Sequence, residues 1–247
     1  MHIKYITCSD PRAHNSIDEM VELWNADPRV EIAVQMHPGK VSPGTERYEW
    51  ISALIDYLYC VPERYNFAIH VNQAWCHSIC NGNIPEELKT FFNTNWLYLR
   101  GRPVVGRVQL NMPKATADSL DPYRLKNVID AFPNKEFILQ YNNKTKEAVE
   151  KMHHVGAKFS LLYDASGGNG ILPNTWNKPV YREHDMGYAG GLSPENIVNN
   201  LNQIKTVAPF DTIWIDAEGK LKTDDKFDVV RARQYVLNTA NWLQKQR

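Results

Sequence analysis

The residues best suited to chemistry collect in one stretch, Phe159 to Leu192, which reads FSLLYDASGGNGILPNTWNKPVYREHDMGYAGGL. An apolar run ends on a carboxylate, Asp164, and passes directly into a loop holding Gly167, Gly168 and Gly170. A second short segment ends on Gly190 and Gly191, just before Ser193-Pro194-Glu195, a strong helix start. One strand thus delivers an acid, and the next delivers bare backbone to a helix N-terminus. Exposed N–H groups and the positive end of a helix dipole attract phosphate, so the combination suits acid–base chemistry on a phosphorylated substrate.

The elements that must position these residues are legible as alternating short runs. β-rich segments recur at Ile3 to Thr7, Val30 to Gln35, Phe67 to Val71, Val105 to Leu110, Glu136 to Gln140, Lys158 to Tyr163, Gly187 to Ala189 and Asp211 to Asp216. Their starts are spaced by about 22 to 38 residues, near the size of a βα unit. Helical signals lie between them. Ser16-Ile17-Asp18-Glu19 is a capping box, Glu49 to Tyr59 carries apolar residues at helical spacing, and Pro85-Glu86-Glu87 and Asp121-Pro122 open two more helices. Further helices are expected over Lys144 to His153, from Ser193 to Ile204, and from Phe227 to Lys245. The sixth position is the exception: about 20 residues after Asp164 are rich in Gly, Pro and Asn, which in a compact domain marks a functional loop. The pattern predicts a single (β/α)8 TIM barrel over residues 1–247, with a long irregular loop after strand 6.

In such a barrel the chemistry sits where strands run out into the following loops. The candidates are therefore Cys8 and Asp10 after the first strand, His37 and Lys40 with Arg47 beyond after the second, and His70 and Asn72 after the third. Gln109 and Asn111 follow on the fourth strand, Asp164 on the sixth, Gly190-Gly191 on the seventh, and Asp216, Glu218 and Gly219 on the eighth. Bland roles compete with each. A lone strand cysteine is more often a small buried hydrophobe than a base, and a glycine pair can simply serve a tight turn. Cys76-His77-Ser78-Ile79-Cys80 offers two thiols and one imidazole at unsuitable spacing, so no metal and no cofactor is expected.

Charge narrows the partners. Lys plus Arg (28) equals Asp plus Glu (28), which points away from nucleic acid and from anionic membrane surfaces. Apolar runs are strand-sized, the N-terminus is strand-like, and four cysteines do not form a disulfide framework, so a cytoplasmic monomer or homodimer acting on a small molecule is the expectation.

LLYDASGGNGILPNTW (Leu161 to Trp176), followed by YAGGLSPENI (Tyr188 to Ile197), resembles the phosphoribosylanthranilate isomerase family. That family has an acid ending strand six, a Gly-Gly-x-Gly loop leading to a Trp, and an Ala-Gly-Gly-Leu turn before a helix. Weaker matches are Cys8 on strand one, Ser42 with Arg47-Tyr48 after strand two, Val71-Asn72 on strand three and Gln109-Leu110 on strand four. The resemblance implies an Amadori rearrangement of an N-(5-phosphoribosyl) amine. Asp164 would be the general acid and Cys8 the general base. Gly168, Gly190, Gly191 and Gly219 would surround the phosphate, and Lys40, Arg47, His37, His70, Asn72 and Gln109 would line the rest of the substrate. An acid that must be protonated and a thiol that must be ionised need pKa values pushed in opposite directions. The chain departs from the family at Asn111-Met112, at Glu218-Gly219-Lys220, and in extra residues around Trp75 to Asn83. A barrel that binds a phosphorylated metabolite or nucleotide without this turnover is the alternative.

Overall fold

The computed structural model describes residues 1–61, 65–92 and 103–246. Eight strands pair in the order β1 to β8 and close on themselves as a parallel barrel with helices between them. The strands are β1 (His2–Ser9), β2 (Val30–Met36), β3 (Asn66–Val71), β4 (Arg107–Leu110), β5 (Glu136–Tyr141), β6 (Ser160–Tyr163), β7 (Met186–Ala189) and β8 (Thr212–Ala217). All eight expected strands are present, with ends shifted by a residue or two. Their interiors are buried almost throughout, polar Glu31, Gln35, Arg107 and Gln109 included.

Contacts divide the chain into two compact units, one of Met1–Ala33, Arg64–Asn66 and Leu162–Arg247, the other of Val34–Glu63 and Phe67–Leu161. In the first, β1 pairs with β2 (Cys8 opposite Ile32) and with β8 (Thr7 opposite Asp216), and β7 pairs with β8 (Ala189 opposite Asp216). Gly187 is required by this packing. A Cβ there would lie 2.1 Å from Trp214 Cε2, so the indole occupies the volume a side chain would take. Helix α1 (Ile17–Asn25) opens on the expected capping box, with Ser16 Oγ accepting from Glu19 N and Glu19 accepting from Ser16 N.

The long segment after Tyr163 forms no helix. Trp176 holds it down: its ring meets Tyr163 and Tyr188 edge-on at 6.1 and 5.6 Å, and its Nε1 donates to Asn200 Oδ1 of helix α8 (Ile197–Val207) at 3.1 Å. Tyr188 Oη adds a bond to Asn177 O at 2.9 Å. Aromatic edge contacts and a satisfied indole N–H thus replace the missing helix. After β8 the chain makes a single 3-10 turn (Gly219–Leu221) and a hairpin of β9 (Lys222–Thr223) and β10 (Lys226–Phe227). Asp224 and Asp225 at its tip both have positive φ, as a tight two-residue hairpin demands. Nothing in the sequence pattern predicts a hairpin here. Helix α9 (Val229–Gln244) follows, capped by Asp228 on the amides of Val230 and Arg231.

In the second unit, β3 pairs with β4 (His70 opposite Gln109) and β4 with β5 (Gln109 opposite Ile138). Helix α2 (Glu46–Cys60) starts at Thr45, which accepts from Tyr48 N; α6 (Pro122–Ala131) starts at Asp121 with Pro122 in the first turn, as its sequence predicts. Helices α4 (Glu86–Phe92) and α7 (Lys146–His154) also lie where expected. Two helices were not foreseen. Helix α3 (Gln73–Cys80) occupies the extra residues around Trp75 to Asn83, and α5 (Lys114–Asp118) is a single short segment. Both are too short to show a full periodic pattern.

Candidate functional site

In the first unit, Asp164 ends β6 with 4% of its surface exposed. Its Oδ1 accepts from Ser166 N (3.1 Å) and Ser166 Oγ (2.7 Å), and its Oδ2 from Gly168 N (2.6 Å). The glycine loop therefore wraps the acid. Gly168, expected at a phosphate, has its amide engaged by this carboxylate instead.

Gly190 and Gly191 both have positive φ, and each is packed against the same loop. A Cβ on Gly190 would lie 2.9 Å from Ile171 O and 3.2 Å from Asp164 Oδ1; one on Gly191 would lie 2.8 Å from Leu172 N. Glycine is needed here so that the loop backbone can seat on the turn. Beyond it, Asn196 stands in the N-cap position of α8 without capping it, because its side chain accepts from Ser193 N and donates to Gly191 O. The Ser193-Pro194-Glu195 start lies in this turn, four residues ahead of the helix. Gly219 differs. It opens the 3-10 turn, and a Cβ there would meet nothing within 4 Å.

Strand alternation separates the groups on β1. Thr7 Oγ1 donates to Glu31 Oε1 at 2.8 Å and Ser9 Oγ to Asp216 Oδ1 at 2.6 Å, so the residue between them, Cys8, points to the opposite face. There it is fully buried, and desolvation first, then Asp216 and Glu31, push its thiol far above the ordinary range. A general base needs the thiolate, and this environment favours the thiol, so the base role expected of Cys8 does not match its placement.

Asp216 of β8, 8% exposed, accepts from Ser9 Oγ and so meets β1 on the face that Cys8 turns away from. Asp10 follows β1 with a positive φ of 68°, a strained conformation for a residue with a side chain. Its Oδ2 accepts from Arg12 Nη2 (2.6 Å) and Lys222 Nζ (2.8 Å), and Lys222 also reaches Glu218 Oε1 at 3.3 Å. Asp10 thus anchors an ion cluster that ties the hairpin to the end of β1. The carbonyl of Phe227, bonded by His14 and Asn15, ties it a second time.

In the second unit the strand ends carry amides in place of acids. Gln109 Nε2 donates to Asn111 Oδ1 (2.8 Å), Asn111 Nδ2 to Asn72 Oδ1 (2.9 Å), and Asn72 Nδ2 to Gln35 Oε1 (2.7 Å). Gln35 Nε2 in turn approaches His70 Nδ1 at 3.4 Å. Asn72 and Gln109, expected to contact substrate, are thus linked to each other through Asn111, and His70 sits at the far end of the chain they form. Asn72 is the residue before α3 yet gives that helix no cap, because its side chain serves this network; Gln73 beside it has a positive φ of 52°. Asn111 is both a strand-end candidate and a departure from the family pattern in the sequence, whereas Gln35 stands there only as a residue of the second strand.

The remaining expected contacts divide. Arg47, in the first turn of α2, donates through Nε (3.0 Å) and Nη2 (2.8 Å) to Gln35 O, so its guanidinium closes the end of β2. Lys40 is exposed in the turn after β2, where the carbonyl of half-buried His37 accepts the amides of Lys40 and Val41. Cys76 and Cys80 are buried on α3, and a hydrogen bond to Cys80, then burial, push the Cys76 thiol upward. All four cysteines are free thiols. Among the described residues no helix is long and apolar enough to cross a membrane. No protein-family model and no curated protein matches the chain, so the resemblance to the isomerase family rests on its two motifs and their spacing.

Proposed function

We propose that the chain is an acid–base isomerase catalysing an Amadori-type rearrangement of an N-(5-phosphoribosyl)-type amine, with Asp164 as acid and Asp216, not Cys8, as base. The observation that carries this reading is the pair of buried carboxylates at the ends of β6 and β8, flanking β7, whose own end is the glycine turn into α8. Asp164 Oδ2 accepts one loop hydrogen bond, which orients the carboxyl while leaving a lone pair to carry the transferred proton. It would protonate the furanose ring oxygen, opening the ring to an imine. Asp216 would then remove the proton from C2, giving the enol-amine that relaxes to the ketone. The uncapped start of α8 is the phosphate position this reading uses.

Incubation with phosphoribosylanthranilate, followed by loss of its fluorescence, tests the proposal. Asp164→Asn is expected to lower turnover by roughly 10²–10⁴-fold while keeping affinity for inorganic phosphate. Cys8→Ser is expected to leave the rate of folded protein within a few-fold of native. A collapse of that rate would return the base role to Cys8. The unreactive placement of Cys8 also favours a second reading, a barrel that binds a phosphorylated metabolite without turnover. Phosphate binding by native protein with no turnover would replace the first reading by the second.

A further inference from the structure

The amide network at the ends of β2, β3 and β4 has a direction, and Asn72 sets it. The Asn72 atom named Nδ2 lies 2.9 Å from His70 O and 3.3 Å from Met36 O, two backbone carbonyls that can only accept. That atom must be the nitrogen, since the reversed amide would set oxygen against oxygen. The remaining links follow in both directions. Asn72 Oδ1 must accept, so Asn111 presents its NH2 to it, and Asn111 Oδ1 then takes the NH2 of Gln109. On the other side Gln35 must turn its oxygen to Asn72 Nδ2, because NH2 facing NH2 at 2.7 Å would be repulsive. Gln35 therefore has only its NH2 to offer His70.

A donor facing Nδ1 requires that nitrogen to hold a lone pair, so the neutral imidazole carries its proton on Nε2. At 3.4 Å the last link is long, but no competing arrangement of the amides gives it the opposite sense. Gln35, His70 and Gln109 are all buried, so the network is not exchanged for water bonds at the surface. The cost of the arrangement is visible beside it: Asn72 forgoes capping α3, and Gln73 adopts a left-handed backbone conformation.

We propose that this relay is a tautomer lock, holding His70 as the Nε2–H form so that the ring acts through Nε2 as a hydrogen-bond donor to an oxygen and not as a proton acceptor. Gln35 and Asn72 are then positioning residues for His70, and Asn111 and Gln109 brace Asn72. The assignment of the tautomer is argued from these five side chains.

The test is the imidazole nitrogen spectrum of the native, uniformly 15N-labelled chain, recorded through the long-range couplings to the ring carbon-bound protons. The His70 signals are identified by their loss in His70→Gln or, if that variant does not fold, by connection to the His70 backbone amide. The expected result is a pyrrole-type shift for Nε2 and a pyridine-type shift for Nδ1. A pyrrole-type Nδ1 in the native protein overturns the proposal. Gln35→Glu then replaces the facing donor by an acceptor, and His70 Nδ1 is expected to move to a protonated shift. A folded Gln35→Glu protein with the native nitrogen pattern overturns the relay as the cause. Neither outcome depends on turnover, so an inactive protein with the expected spectrum rejects the isomerase reading and keeps the lock.

Discussion

Cys8 and Tyr235 show how a single residue type misleads until its surroundings are known. Both are fully buried, and Cys8 contributes to the field that pushes the Tyr235 phenol far above its ordinary range, after burial itself. Among the described residues the Tyr235 hydroxyl has no hydrogen-bond partner, which is uncommon for a buried group. Its retention costs desolvation with no bond to offset it. Tyr235→Phe is therefore expected to be neutral or to stabilise by up to about 1 kcal/mol, measured by urea unfolding. A loss larger than that would mean the hydroxyl is bonded in solution. For Cys8 the sequence could name the residue but not its face: strand residues alternate, and a shift of one position exchanges the inner and outer sets. The partners of Thr7 and Ser9 place Cys8 on the face opposite to theirs.

At the scale of elements, the glycine turns separate two meanings that one sequence signal carries. Gly190 has φ of 108° and a loop carbonyl 2.9 Å from its missing Cβ, whereas Gly219 has open space around it. Gly190→Ala is expected to cost about 2 kcal/mol or more through strain and displacement of the loop, and Gly219→Ala to stay within about 0.5 kcal/mol. Thermal unfolding of the two variants side by side checks this, and equal effects would remove the loop contact as the reason for the glycine pair. The irregular loop after β6 was legible from its Gly, Pro and Asn content. What holds it, the Trp176 contact with Tyr163, Tyr188 and Asn200, was not, because those partners lie 12 to 24 residues away in sequence. Helix α3 and the hairpin after β8 escaped for a different reason. Each is too short for its periodicity to stand out, and each is stabilised by tertiary bonds such as Lys222 to Asp10.

For the molecule as a whole, the stability at alkaline pH should carry the signature of Lys135. This residue is 7% exposed, donates to Val105 O at 2.9 Å, and is lowered by burial from 10.5 to about 8. Between those values the unfolded chain holds the proton and the folded chain does not, so stability rises with pH across that window. Below it both states are charged, and the full penalty of the buried ammonium is present. The stability difference between native protein and Lys135→Met should therefore move in favour of native by up to about 3 kcal/mol as pH rises from about 8 to 10.5, read by unfolding at fixed temperature. A difference independent of pH would place the ammonium in water. Local sequence determined much at this scale: apolar runs of strand length at βα spacing, and capping residues such as Ser16 and Asp121, were enough to specify eight strands and most of the helices. Those signals are short-range and survive in any context, which is also why Asp164 and the glycine pair could be singled out in advance. Tertiary structure alone decided which strand-end groups belong together, turning Cys8 away, bringing Asp216 to Ser9, and joining Gln35, His70, Asn72, Asn111 and Gln109. Hydrogen-bond partners across strands are set by register and by side-chain direction, and neither leaves a mark in a single sequence.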